Sequence, residues 1–298
     1  DNKMPHPMTQ LLQRCLSLPQ VRMSSSFLLE EKKNVGQFKG GHIGYTKNES
    51  SGIATVTLMN EKKRNAWSGQ MLIDMINVLE DLQSWQVGKA VIIQGQGNTF
   101  SAGGDLKAEK EQLFNNNNAK QLVKDWCILM KHALDTISCL PLLTVSLVHG
   151  KAIGFGAEVV AATDFRLFTH SGEIMFIHAK MGLATTVGAT NLVNIVSSRV
   201  ALDILATCRG VNVAEALKIG LADHSVEEEN RFESTVDWLQ KRIEPEAEVL
   251  QTLKSNIVVA RDLNRVESLL NEQNNYLKLV GGPAHFRAIE QFMKRKIK

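Results

Sequence analysis

Val148-His149-Gly150-Lys151-Ala152-Ile153-Gly154-Phe155-Gly156-Ala157-Glu158-Val159-Val160-Ala161-Ala162 is the stretch that decides how this chain is read. Upstream, Leu142 to Val148 is an apolar run of strand length, partly β-branched. Downstream, Ala157 to Ala162 is small and apolar, good helix material, and carries one carboxylate, Glu158. The glycines between them allow a sharp turn and a close backbone approach. A strand-to-helix junction of this kind leaves backbone N–H groups without partners and points them at whatever lies in front. It therefore suits a developing negative charge.

Working outward towards the N-terminus, Leu122, Trp126, Leu129, Met130, Ala133 and Ile137 fall at helical spacing and are closed by Pro141. Before them the polar run Asn115 to Asn118 reads as a mobile loop. Thr99 to Leu106 is a glycine-bearing loop directly after a buried strand, Ala90 to Gln94. An amphipathic helix is expected from about Ser68 to Ser84, with Ser68 as its N-cap. Ile53 to Leu58 alternates and is β-branched, a strand. Towards the C-terminus, Asp164 to Thr169 is a further strand. Strands and helices alternate throughout this half, the pattern of βαβ units. Beyond Ser197 the signal is helical: 199–207, 213–220, 232–241, one long segment over 246–274, and 284–298. Three regions follow: an N-terminal tail over 1–40, a β/α core over 41–197 and a helical region over 198–298.

Composition narrows the function classes. The chain has 298 residues, 44% hydrophobic and 22% charged, with a formal charge of +3, ordinary for a globular protein. No basic run is interleaved with aromatics, so nucleic acid is not an expected partner. No apolar run approaches the roughly 20 residues of a membrane span, so no membrane partner is expected either. Cys15, Cys127, Cys139 and Cys208 show no metal-binding or paired spacing; free thiols in a reducing compartment and no metal site are expected. Residues 3–28 are basic, serine-containing and free of acids. That composition fits a mitochondrial transit peptide and a disordered tail equally.

Two loops carry the chemistry. Ala102-Gly103-Gly104-Asp105 and Gly154-Phe155-Gly156 each follow a strand and each aim N–H groups outward. Two convergent N–H donors make an oxyanion hole, which is what a thioester oxygen needs as its α-carbon becomes an enolate. Either loop alone would be an ordinary tight turn. A dinucleotide-binding reading of Gly154-x-Gly156 fails, because the third small residue it requires is replaced by Val159.

Taken together and in order, these segments resemble the crotonase (enoyl-CoA hydratase/isomerase) superfamily. The resemblance rests on Asn65-Ala66-Trp67-Ser68 after a charged turn, on Phe100 to Leu106, and on Gly150 to Glu158 followed by Asp164-Phe165-Arg166. Ala214 to Ala222 extends it into the helical half, so it covers roughly residues 41–298. Within the superfamily the likeness is greatest to the branch that decarboxylates ethylmalonyl-CoA. Its marks are Thr99 to Leu106, Ile174 to His178 with Met181-Gly182, Ser198 to Leu202, and Gly281 to Ala284.

The resemblance implies an α/β chain of the ClpP/crotonase fold, a spiral core of ββα-type units with a C-terminal helical region used for trimerisation. It implies an acyl-CoA substrate, no cofactor beyond the coenzyme A that is part of that substrate, and a homotrimer or hexamer. By matched position it assigns the oxyanion donors to Gly104 and Phe155. Phe155 stands where the family carries a third glycine, so a phenyl group has to be housed beside the turn. Lys62, Lys63 and Arg64 fall where basic residues approach the CoA phosphates. Ala66, Ser101, Ala102, Gly103, Asp105, Leu106 and Gly154 fall where the thioester and its carrier lie. Hydratases of the family use two carboxylates. Here Glu158 matches one, and the place of the other reads His178-Ala179-Lys180-Met181, without an acid. Decarboxylation of ethylmalonyl-CoA, and of methylmalonyl-CoA beside it, is therefore the expected reaction. Glu158 would deliver a proton or orient the substrate carboxylate, and His178 would assist. Double-bond isomerisation and a non-catalytic CoA-binding role are the alternatives. Relatives of this branch imply a cytoplasmic protein; the basic N-terminus leaves a mitochondrial one as the alternative.

Overall fold

The computed structural model describes residues 28–105 and 119–296. Leu106, and the proposed mobile loop at Asn115 to Asn118, lie outside the described residues, as does most of the N-terminal tail.

A six-stranded sheet forms the centre. Its strands are β1 (His42–Asn48), β2 (Ile53–Met59), β3 (Ala90–Gly95), β4 (Leu143–Val148), β6 (Phe165–Thr169) and β9 (His224–Val226), lying side by side in that order. Only the β1–β2 hairpin is antiparallel; every later pair is parallel. β3 and β4 are almost wholly buried, which is why Ala90 to Gln94 and Leu142 to Val148 read as continuous apolar runs. Parallel neighbours need helical crossovers. Two of them are α2 (Gly69–Gln83), between β2 and β3, and α3 (Ala119–Cys139), leading into β4. Ser68 caps α2 by accepting from the Met71 N–H at 3.2 Å, as its sequence position predicts.

A second, three-stranded sheet stands beside the first. β5 (Lys151–Ile153) pairs in parallel with β7 (Glu173–Met175), which pairs antiparallel with β8 (Val211–Asn212). Between β5 and β6 runs α4 (Phe155–Ala162), all eight of whose residues are buried.

Three expectations are corrected. Residues 1–40 are not simply a tail: α1 (Leu29–Gly36) packs on α2 and α3, with Leu28 and Val35 fully buried. The C-terminal part is not wholly helical. After α5 (Gly188–Leu192) at the end of the core, it supplies β8 and the edge strand β9 of the main sheet besides α6 (Ser198–Thr207), α7 (Val213–Ile219) and α8 (Arg231–Gln240). The long segment over 246–274 is two helices, α9 (Ala247–Asp262) and α10 (Arg265–Leu279), followed by α11 (Pro283–Lys296). The break falls where Leu263 turns extended and Asn264 caps α10, accepting from the N–H groups of Val266 and Glu267.

Candidate active site

The two glycine loops predicted to converge lie against one another. Ser101 donates its N–H to Lys151 O at 3.0 Å and accepts from Ile153 N–H at 2.9 Å, bridging the first loop to β5. A Cβ on Gly103 would come within 2.8 Å of Ile153 O, so only glycine allows this approach, and its φ of 88° suits the same residue. Trp67 donates its N–H to Gly103 O at 2.8 Å, and Ala102 donates to Arg64 O at 2.8 Å. Asn65 ties the turn from beneath. It is fully buried, donates to Gln96 O and Thr99 O, and accepts from Asn60 N–H.

Gly154, with φ 54° and ψ −119°, swings the chain from β5 into α4. Phe155 begins that helix with a negative φ, and its ring is housed edge-on against Trp67, centroids 5.0 Å apart. The phenyl group thus fills the interior instead of blocking the turn. Among the described residues, neither the Gly104 nor the Phe155 N–H donates to another group. Both are available to an outside oxygen, as an oxyanion hole requires.

Glu158 lies one turn into α4 and is fully buried. Its Oε1 accepts two backbone N–H bonds, from Val187 at 3.0 Å and Gly188 at 2.8 Å. Its Oε2 has no hydrogen-bond partner among the described residues and lies 3.6 Å from His178 Nε2. Burial pushes the carboxyl towards its neutral form and is the largest single influence. The His178 imidazole and the two N–H donors together outweigh it, so the carboxyl sits below its ordinary value. At neutral pH Glu158 is a carboxylate. His178 opens a short 3₁₀ turn, His178–Met181, immediately after β7. Its Nδ1 is buried and unpartnered.

The remaining expected residues divide. Lys62, Lys63 and Arg64 are exposed on the turn after β2, with Lys63 paired to Asp105 at 2.6 Å. The Ala66, Ser101 and Ala102 N–H groups are all committed to internal bonds, as are the Ala66 and Ser101 carbonyls; the Ala102 carbonyl accepts no bond from the described residues. Ser101 is instead a structural knot, its hydroxyl donating to Asn65 O and accepting from Gly103 N–H. Two features escaped the sequence: the Val187 and Gly188 N–H groups that fix Glu158, and the Trp67 ring that receives Phe155. Backbone donors carry no side-chain signal, and Trp67 reads as one more core residue.

A separate cavity of about 340 Å³ lies at the other end of α4, lined by Thr163, Asp164, Arg166, Asn191 and Asp223 among others. Its charges are satisfied within the protein: Arg166 pairs with Asp223, and Asp164 with Lys254. None of Gly104, Phe155, Glu158 and His178 lines it. Among the described residues there is no group of acidic, histidine or cysteine side chains arranged to hold a metal ion, and no helix is long and apolar enough to cross a membrane.

Comparison with known proteins places the fold and the family. An enoyl-CoA hydratase from Bacillus anthracis, 20% identical, superposes with a TM-score of 0.77 over 86% of this chain and 97% of its own. One from Polaromonas sp. JS666, 19% identical, gives 0.76 over 86% and 98%. These likenesses show the crotonase fold. In sequence, the ethylmalonyl-CoA decarboxylase of Rattus norvegicus is 38% identical over 94% of this chain and 93% of its own length. That of Gallus gallus is 37% identical over 88% of each. The profile of the enoyl-CoA hydratase/isomerase family matches residues 48–295. The chain belongs to that family.

Proposed function

We propose that the protein is an acyl-CoA decarboxylase that removes CO₂ from ethylmalonyl-CoA, and from methylmalonyl-CoA, through a thioester enolate. The Gly104 and Phe155 N–H groups hold the enolate oxygen, and the Glu158–His178 pair serves protonation of the α-carbon. One observation carries the reading: where the family's second carboxylate is expected stands His178, its Nε2 3.6 Å from Glu158, whose Oε1 is held by the Val187 and Gly188 N–H groups. Adding water across a double bond needs two groups trading protons with water and carbon. Losing CO₂ needs only an electron sink and one proton donor. The names of the relatives, at 37% and 38% identity over most of the chain, point the same way.

The exposed basic turn at Lys62 and Arg64 is suited to the phosphates of the CoA carrier. The reading also brings a homotrimer, or a dimer of trimers, acting in the cytoplasm. Purified protein incubated with each malonyl thioester is expected to release CO₂ and form butyryl- or propionyl-CoA, followed by mass spectrometry. Release of no CO₂, with double-bond migration in an enoyl-CoA instead, would replace this reading with an isomerase.

A further inference from the structure

On the basis of the decarboxylase reading, we propose that His178 is the catalytic acid, handing a proton to the enolate carbon from Nδ1, and that Glu158 is a positioning residue acting through it. The two ring nitrogens face different surroundings. Nε2 looks at Glu158 Oε2 across 3.6 Å, whereas Nδ1 is buried with no partner among the described residues. A buried ring nitrogen left unpaired is costly, and a bound substrate can supply the partner. The place fits the substrate. Ile153 pairs with Met175 in the β5–β7 register, and Gly154 donates its N–H to Met175 O at 2.9 Å. Three residues further on, His178 meets Glu158, in the first turn of the helix that Phe155 begins.

Glu158 is poorly placed for the same task. It is fully buried, and Val187 and Gly188 hold one of its oxygens. Its ionised state leaves it no proton to give. Among the described residues, the other titratable groups nearby are Cys127 on α3, whose thiol is pushed up by burial and by Glu158, and Lys180, whose ammonium reaches Cys208 O at 3.5 Å.

The step balances without a further reactant. The bond from Cα to the carboxylate breaks, and CO₂ leaves. The electron pair forms the enolate, with its charge on the thioester oxygen. As the enolate collapses, Cα takes the His178 proton, and solvent restores the imidazolium.

The test is the handedness of the label when ethylmalonyl-CoA is turned over in D₂O. Wild type is expected to give 2-deuteriobutyryl-CoA of one hand. His178→Asn is expected to release CO₂ at least tenfold more slowly and to give both hands equally, since the enolate then takes its deuteron from solvent. Glu158→Gln, which keeps an acceptor for Val187 and Gly188, is expected to retain one hand while kcat falls and KM changes little. Should the Asn variant not fold, His178→Gln is expected to give the same racemic product. A single hand at an undiminished rate from the His178 variants overturns the proposal. So does a racemic product from Glu158→Gln with a single hand from His178→Asn. Wild type that releases no CO₂ overturns the decarboxylase reading itself, and is told apart from both by the missing product.

Discussion

Glu158 carries two loads, and they separate by pH. Its folded-state carboxyl lies below the ordinary 4.5, because the N–H donors of Val187 and Gly188 and the His178 ring outweigh the cost of burial. The unfolded chain therefore takes up the proton first on acidification. The stabilisation is complete above the ordinary carboxylate value and is lost as pH falls through the lowered one. Melting temperatures of wild type and Glu158→Gln are expected to differ most at neutral pH and to converge in acid. A gap that stays constant down to the acid limb would deny the carboxylate this role. Glu158→Ala removes the acceptor altogether and leaves two buried N–H groups unpaired. It is expected to cost about 1–3 kcal/mol for each group that water does not reach, read from urea unfolding at pH 7. The sequence shows a lone glutamate after a glycine turn. It does not show that backbone 29 and 30 residues away reaches back to hold it.

The β5–α4 junction makes a similar separation between backbone and packing. At Gly154 a Cβ would meet nothing nearer than Ile177 Cγ1, at 3.7 Å, yet φ of 54° with ψ of −119° is closed to other residues. Gly154→Ala is expected to cost about 1–3 kcal/mol as backbone strain and to turn the Phe155 N–H away from its direction. Activity should then fall much further than stability. Phe155→Gly does the reverse. It keeps the N–H but empties the space against Trp67, a loss of about 3–5 kcal/mol on the scale of large-to-small core changes. The surviving folded protein should stay active. Comparing denaturant midpoints with CO₂ release for both variants decides this, and equal losses of activity would refute it. The junction itself was legible because glycine, apolar run and carboxylate each carry a local signal. Elements whose stability is tertiary were not. β5, β7 and β8 are two or three residues long, too short for any alternation to register. The break between α9 and α10 did have a signal, Asn264 three residues before Glu267, the spacing of a helix start. Helical periodicity continuing on both sides obscured it.

At the scale of the molecule, the C-terminal helices pose a question that one chain does not answer. Leu253 and Ile257 on α9, Val266, Leu269 and Tyr276 on α10, and Phe286, Ile289 and Met293 on α11 are all exposed. Their spacings of three, four and seven residues draw an outward apolar stripe along each helix. The inward contacts of these helices are partly polar, with Asn256 bonded to Asn271 and Asn275, and Arg287 paired with Glu246. A monomer rarely leaves so much apolar surface in water, and a closed ring of copies removes it without an open end. Light scattering is expected to give three times the chain mass of 33.0 kDa, or six times for a dimer of trimers. Ile257→Glu combined with Tyr276→Glu places charge on the stripe without touching Gly104, Phe155 or Glu158. The pair should dissociate the assembly while leaving the fold intact by circular dichroism. A wild-type chain that stays monomeric at micromolar concentration would remove the trimer. It would leave the oxyanion hole untouched, because every group that builds it comes from a single chain.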